Sequence, residues 1–225
     1  MLLHIPAVLN APQIAEFQEK LAHAEWIDGR ETVGIQGAAV KRNEQLADAS
    51  ALRIELGRAV LAALDRSPLF FAAALPLRIM PPRFNRYAGG DEYGFHIDGA
   101  VMRAGAAADV RTDLSCTLFL NEPDTYDGGE LIIDDGYGHH PVKLPAGDLV
   151  LYPASSLHRV APVPSGVRLA AFFWVQSIVR PLERRTLLFD LDGTIQQLRL
   201  EQADPQVVLR LSGLYHNLLR RWADV

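Results

Sequence analysis

Four things are scarce in this 225-residue chain: cysteine, long apolar runs, basic excess and low-complexity sequence. Each scarcity removes a class of protein. A single cysteine, Cys116, can form no internal disulfide, so an oxidising compartment offers the fold nothing. Inside the apolar run Leu114–Leu120 it reads as a small buried hydrophobe rather than a nucleophile. No segment approaches the roughly 18 uninterrupted apolar residues that a membrane helix needs. The 22 basic residues face 27 acidic ones, a formal net charge of -5, which favours neither nucleic acid nor an anionic membrane as partner. The opening residues, Met1 to Pro6, lack the basic stretch, apolar core and cleavage site of a secretory signal. A cytoplasmic, soluble protein is therefore expected.

What is present falls into three zones. Residues 1 to about 74 have helical character: Asn10 can cap a helix in which Ile14, Phe17, Leu21 and Trp26 recur near a 3.6 period, with Pro12 in its first turn. A second helix is expected from Gln45 to Asp65, striped by Leu46, Leu52, Leu56, Val60, Leu61 and Leu64. Between them, Val33 to Gly37 reads as a loop or short strand. From about 75 to 178, short apolar or alternating runs are punctuated by Gly, Pro and Asp, as in an all-β sandwich or barrel. The runs are 77–80, 83–87, 93–97, 114–120, 130–133, 149–152 and 167–175. The stretches 99–113 and 121–129 have loop composition. From 179 to 225 helix returns, with Asp204 and Pro205 as cap and first turn and a stripe of Val208, Leu211, Tyr215, Leu218 and Trp222. The expected division is a core domain over 1–178, its β part at 75–178, and a C-terminal helical extension over 179–225.

Chemistry concentrates in the β zone. In Tyr93-Gly94-Phe95-His96-Ile97-Asp98-Gly99, alternate residues of a strand share a face, so His96 and Asp98 project together while Ile97 points away. Taken alone, His-x-Asp is weak, since two polar residues on a solvent face give the same pattern. The third ligand candidate, His158, lies on another strand-like run, and Arg168 follows it by ten residues. The connection from Pro162 to Gly166 between them reads as the turn of a hairpin setting both side chains in one mouth. Two histidines and one carboxylate leave an octahedral face of a metal open, as expected of non-haem iron(II) oxygenases. Arginine suits a bidentate carboxylate partner, so Arg168 implies a dicarboxylate cosubstrate.

These residues carry a resemblance. His-x-Asp, a distant His and an Arg ten residues later are the pattern of the iron(II)- and 2-oxoglutarate-dependent dioxygenases. The run from Arg83 through Tyr87 and Gly90 into Tyr93 and Asp98 is similar to their prolyl-hydroxylase branch, and the helical extension resembles that of the bacterial PKHD-type hydroxylases. The likeness spans essentially the whole chain. It implies an α+β fold with a double-stranded β-helix core, Fe(II) on His96, Asp98 and His158, and 2-oxoglutarate as cosubstrate. Arg168 would hold the distal carboxylate, with Tyr87 and Tyr152 as candidates for orienting it, although a packed barrel aromatic explains either tyrosine equally well. It further implies L-ascorbate as a reductant, dioxygen, and hydroxylation of a small-molecule or peptidyl substrate with release of succinate and CO2. Oligomeric state stays open. A non-catalytic iron- or ligand-binding module used in sensing is the alternative, and a zinc hydrolase on the same three ligands is a third.

Other motifs point away from the chemistry. Asp190-Leu191-Asp192-Gly193-Thr194 matches the nucleophile motif of haloacid dehalogenase-like phosphatases. No lysine follows Lys143, and Leu187, Leu188, Leu191, Ile195 and Leu198 fit a helix stripe, so a helix is expected there instead. The neighbours His139 and His140 would point to opposite faces of a strand and are expected on a surface turn. Asp134-Asp135 reads as an acidic turn, and His4, His23 and His216 as structural.

Overall fold

The structure, a computed structural model, describes residues 1–32, 38–103 and 109–225. The expected loop or strand at 33–37 and the middle of the 99–113 stretch lie outside the described residues. Strand β1 (Leu3–Ile5) leads into helix α1 (Ala11–Ala22), followed by the short strands β2 (Ile27–Asp28), β3 (Lys41–Arg42) and β4 (Glu44–Gln45). Helices α2 (Ala51–Leu64) and α3 (Pro68–Ala74) come next. The β zone then runs through β5 (Pro76–Ile79), β6 (Arg83–Ala88), β7 (Asp91–His96), β8 (Val101–Met102), β9 (Val110–Arg111), β10 (Leu114–Phe119), β11 (Leu131–Asp134), β12 (His139–Val142), β13 (Leu149–Pro153), β14 (Leu157–Val163) and β15 (Val167–Ser177). Helices α4 (Leu182–Leu200) and α5 (Pro205–Trp222) come last.

Two antiparallel sheets carry the molecule. The larger has the order β1-β13-β10-β15-β6-β4-β2, with β5 added along β15, and the smaller has the order β12-β11-β14-β7-β3. Alternation within the larger sheet assigns its two faces. Leu114, Cys116 and Leu118 of β10, Leu149 and Leu151 of β13, and Leu169, Ala171 and Phe173 of β15 turn outward, where α1 and α2 cover them with Phe17, Leu21, Leu56 and Val60. The intervening residues face the smaller sheet. Between the sheets, Tyr87, Phe119, Tyr126, Leu131, Ile133, Val150 and Val163 fill one end, and the other end is hollow. This two-sheet layout with flanking helices is the α+β, double-stranded β-helix arrangement that the residue pattern implies.

Local chemistry explains the helix boundaries. Asn10 accepts from the Gln13 amide at 3.0 Å while Gln13 accepts from the Asn10 amide at 3.0 Å, a reciprocal cap that starts α1 at Ala11. Trp26 lies beyond the helix yet still packs on the same core. The second helix begins at Ala51, not at Gln45, with the Ser50 hydroxyl accepting from the Arg53 amide. Gln45 instead belongs to β4, where it pairs with Asn85 and Ile27, and Leu46 is buried from the strand side. Helix α3, capped by Ser67, is an element that the periodicity did not show.

The hairpin expected across 162–166 does not form. Strand β14 pairs with β7 and β11 in the smaller sheet, while β15 pairs with β6 and β10 in the larger one. The connection carries the chain from one sheet to the other. His158 and Arg168 still meet one cavity, but from opposite walls.

The stripe of the last helix, which would be expected to dock on the β core, packs instead on α4 and the junction before it, with Tyr215, Leu218, Leu219 and Trp222 against Leu75, Val179 and Leu188. Buried Arg185 fixes the junction by donating to the Val179 and Arg180 carbonyls at 2.7 and 2.6 Å. The phosphatase-like motif lies wholly within α4, where Asp190 and Asp192 sit on a helix, and Leu188 and Ile195 supply the buried stripe. His139 and His140 stand on β12, not on a turn, each near its own carboxylate, Asp134 and Asp135. Asp135 also accepts from the amides of Tyr137 and Gly138, an acidic turn as expected. No helix among the described residues is long and apolar enough to cross a membrane.

Candidate metal and cosubstrate site

Strand β7 ends at His96, and β14 presents His158 directly opposite in the register of the smaller sheet. Asp98 lies two residues past the strand end and closes the triangle, while Ile97 between them points out, 59% exposed. One ligand atom from each of His96, Asp98 and His158 can be chosen so that all lie within 4.8 Å of one another. His96 Nε2 is 4.0 Å from Asp98 Oδ1, and His158 Nε2 is 3.8 Å from Asp98 Oδ2. The spacing suits three donors around one cation better than direct ion pairs.

Both imidazoles are prepared for that role. His96 Nδ1 lies 2.8 Å from the Gly94 carbonyl and His158 Nδ1 lies 3.0 Å from the Ser156 carbonyl. A carbonyl only accepts, so each Nδ1 carries the proton and each Nε2 keeps its lone pair for a metal. Burial, with the neighbouring His158 adding to it, pushes His96 well below the ordinary imidazole value, so the ring is neutral at physiological pH. Tyr93 stacks on the His96 ring with centroids 3.6 Å apart, and Tyr152 meets His158 edge-on at 5.2 Å. The Ser115 hydroxyl donates to Asp98 Oδ2 at 2.6 Å and orients the carboxylate.

The cavity behind this triad holds about 870 Å³, and Arg168, Tyr87 and Tyr152 line it. Arg168 stands on β15 opposite Tyr87 of β6 and is only 1% exposed. Its Nε donates to the Gly129 carbonyl at 2.9 Å, and its guanidinium lies over the Tyr87 and Phe119 rings at 5.4 and 5.2 Å. Nη1 is buried with no hydrogen-bond partner among the described residues. A buried guanidinium nitrogen without an acceptor is a costly arrangement unless an anionic ligand completes it. Gly129 makes the approach feasible: its φ is +69°, and a Cβ there would come within 2.9 Å of both Tyr126 and Val163 and 3.0 Å of the Arg168 stem. Burial raises both tyrosine phenols, Tyr87 to about 12 and Tyr152 well above its usual value, so both are neutral hydrogen-bonding groups. The donor set and the unsatisfied Arg168 nitrogen thus fit a divalent metal and an anionic cosubstrate, respectively.

Comparison with known proteins agrees with this geometry. Residues 82–176 match the 2OG-Fe(II) oxygenase superfamily, and residues 183–224 match the PKHD-type hydroxylase C-terminal domain. A PKHD-type hydroxylase of Stenotrophomonas maltophilia is 60% identical over 225 residues, all of both chains. The chain belongs to the PKHD-type hydroxylases. A second relative in this family, from Xylella fastidiosa, is 59% identical over 229 residues, again covering both chains completely. Among solved structures, a prolyl hydroxylase from Trichoplax adhaerens in complex with a peptide fragment matches with a TM-score of 0.54 and 13% identity, over 78% of this chain and 83% of that one. HygX from Streptomyces hygroscopicus, solved with nickel, 2-oxoglutarate and hygromycin B, matches with 0.53 and 16%, over 78% and 82%. At such identities these two speak for the fold alone. The protein is a 2-oxoglutarate-dependent hydroxylase that uses Fe(II), and the family carries the enzymatic reading, not the sensing module.

All six site residues expected from the sequence face this one cavity. Sequence reading passed over Ser115 and Tyr93. Ser115 and Thr117 alternate with Leu114, Cys116 and Leu118, and polar residues at every second position of a buried strand are the trace of an inward, site-lining face.

Proposed function

We propose that His96, Asp98 and His158 hold the iron, that Arg168 binds the distal carboxylate of 2-oxoglutarate, and that the enzyme hydroxylates its substrate with release of succinate and CO2. The observation that carries this is the buried Nη1 of Arg168, which has no partner among the described residues and lies in the same cavity as the triad. Iron with 2-oxoglutarate and dioxygen supplies an oxidant able to remove hydrogen from an unactivated C–H bond. The chain's own residues do the rest. Two carbonyls fix the imidazole tautomers, Ser115 aims Asp98, and Tyr87 and Tyr152 supply neutral phenols beside the cosubstrate. Aromatic and aliphatic walls exclude bulk water from the oxidant. We place the boundary between the catalytic core and the helical extension near residue 178, which the separate matches over 82–176 and 183–224 support. A cytoplasmic setting and ascorbate as reductant go with this reading.

Two measurements check it. With Fe(II), 2-oxoglutarate and air, succinate should form in step with oxygen uptake, and zinc in place of iron should give none; succinate without oxygen consumption sinks the reading. Ser115→Ala should lower Fe(II) affinity by about 10- to 100-fold, the usual effect of removing a group that orients a ligand. Anaerobic metal titration reads it, and unchanged affinity would remove Ser115 from the site.

A further inference from the structure

One buried amide in the cavity stands apart from the proposed iron and 2-oxoglutarate ligands. Strand β6 turns Arg83, Asn85 and Tyr87 inward, since Phe84 between them belongs to the outer core. Tyr87 pairs with Arg168, at the end assigned to the cosubstrate, whereas Arg83 reaches Asp48 at the rim, Nη2 to Oδ2 at 2.7 Å. Asn85 lies between the two, and its register partner on β15 is Ala170, which contributes only a methyl. Asn85 is 8% exposed and lines the cavity, and its buried Oδ1 has no hydrogen-bond donor among the described residues. A buried amide oxygen without a donor is costly, and a ligand N–H or O–H would satisfy it.

The surroundings define the rest of such a ligand. The cations of this wall are already engaged. Arg83 is paired with Asp48, and Lys41 interacts within the chain, lies over the Tyr93 ring at 5.3 Å and is pushed by burial down to about 7. Among the described residues the only acid lining the cavity is Asp98, which belongs to the proposed triad. What remains around Asn85 is apolar. Phe172 and Trp174, edge to face at 5.7 Å, continue the inward face of β15 from Ala170, and Trp174 pairs with Ser115, the residue that holds Asp98. Val40, Phe95, Ile97 and Leu157 line the cavity yet are exposed, so its mouth is apolar as well.

We propose that Asn85 is a specificity-determining residue, and that the primary substrate is an uncharged, largely apolar molecule presenting one N–H or O–H to its Oδ1. That donor fixes one end of the molecule, and the Phe172–Trp174 pair takes the apolar body. Because Trp174 neighbours the Ser115–Asp98 contact, the same run of side chains leads the body toward the triad. A carboxylate in this position would have no donor to give and no unmatched cation to meet. A site built around one hydrogen bond discriminates against an analogue that lacks it, because the buried partner is then left unpaired. The proposal rests on assigning iron to the triad and the distal carboxylate of 2-oxoglutarate to Arg168.

Calorimetry on the full chain loaded with nickel(II), which is redox-inert here, separates the two assignments. 2-Oxoglutarate is titrated first, and three probes of one shape follow at its saturation. Benzamide offers a ring and an N–H, acetophenone replaces the NH2 by a methyl, and benzoate replaces it by a charged oxygen. Benzamide should bind, with acetophenone and benzoate each weaker by about tenfold, the loss expected when a buried acceptor is left unpaired. Asn85→Leu, similar in shape but without an acceptor, should weaken benzamide about tenfold, bring acetophenone level with it and leave 2-oxoglutarate unchanged. A purely structural role would weaken all the ligands together. Should Asn85→Leu lower the unfolding midpoint, Asn85→Ala decides by the same comparison. Absence of benzamide binding up to its solubility overturns the proposal, as does acetophenone or benzoate binding as tightly as benzamide to the wild type. A variant that weakens 2-oxoglutarate as much as benzamide assigns Asn85 to the cosubstrate and also overturns it. Failure of 2-oxoglutarate itself to bind the wild-type nickel form overturns the underlying assignment, a separately visible result.

Discussion

Asp98→Ala is expected to reduce 2-oxoglutarate consumption to the level given by iron without protein, while the far-ultraviolet spectrum and unfolding midpoint stay close to wild type. The carboxylate is the one charged ligand of the proposed triad, and two neutral imidazoles alone offer iron a far weaker site. Its structural role is small by comparison. Asp98 lies past the end of β7, and among the described residues its side chain takes one hydrogen bond, from Ser115. Without metal, the wild-type carboxylate sits beside two imidazoles whose Nε2 atoms are 4.0 and 3.8 Å away, too far for strong hydrogen bonds. Removing it therefore takes away little that holds the fold. Succinate formation and metal titration, run beside a thermal melt, separate loss of metal from loss of structure. Turnover retained in this variant would exclude Asp98 from the site.

Arg168→Ala should weaken 2-oxoglutarate by about 10²- to 10⁴-fold, since breaking a buried ion pair by removing one partner costs about 3–5 kcal/mol. Three features place the effect at the upper end for a single side chain. The guanidinium is almost fully buried, its Nε is anchored to the Gly129 carbonyl, and two aromatic rings flank it, so it meets a carboxylate already oriented and dry. Arg168→Lys should fall between, because an ammonium keeps the charge and loses the planar fork. A thermal readout needs no turnover. At 100 times its dissociation constant, 2-oxoglutarate should stabilise the metal-loaded wild type by about 2.7 kcal/mol, and the same concentration should leave the alanine variant almost unmoved. Equal stabilisation of both would place the cosubstrate carboxylate elsewhere.

What the sequence revealed follows a physical divide. His96 and Asp98 were legible because their two-residue spacing keeps them close without reference to the rest of the chain, although Asp98 falls just past the end of β7. The helix α5 cap at Asp204 and the α1 cap at Asn10 were legible for the same reason. The relation of His158 to Arg168 was misread, because a five-residue connection rich in proline and glycine has the composition of a hairpin whether the next strand pairs locally or crosses to another sheet. Which of these happens is decided by partners far along the chain, β7 and β6. Gln45 was assigned to a helix because Leu46 falls in step with the stripe from Leu52 onward. Pairing with Asn85, forty residues away, overrode that period. Lys41, Asn43 and Gln45 passed unnoticed, although polar residues at alternate positions, later found buried, mark an inward face as clearly as apolar ones do.

The crossing at 164–166 fixes a length. His158 and Arg168 are anchored on two separate leaves, each tied by hydrogen bonds to its own neighbours, and facing sheets keep a spacing of about 10 Å. The triad and the guanidinium are therefore the two jaws of a gauge whose opening neither can adjust alone. With the metal on the triad and the distal carboxylate on Arg168, as proposed, keto diacids one methylene shorter or longer than 2-oxoglutarate should both bind more weakly. In that binding mode the distance between the leaves acts on chain length before any other side chain of the cavity meets the molecule.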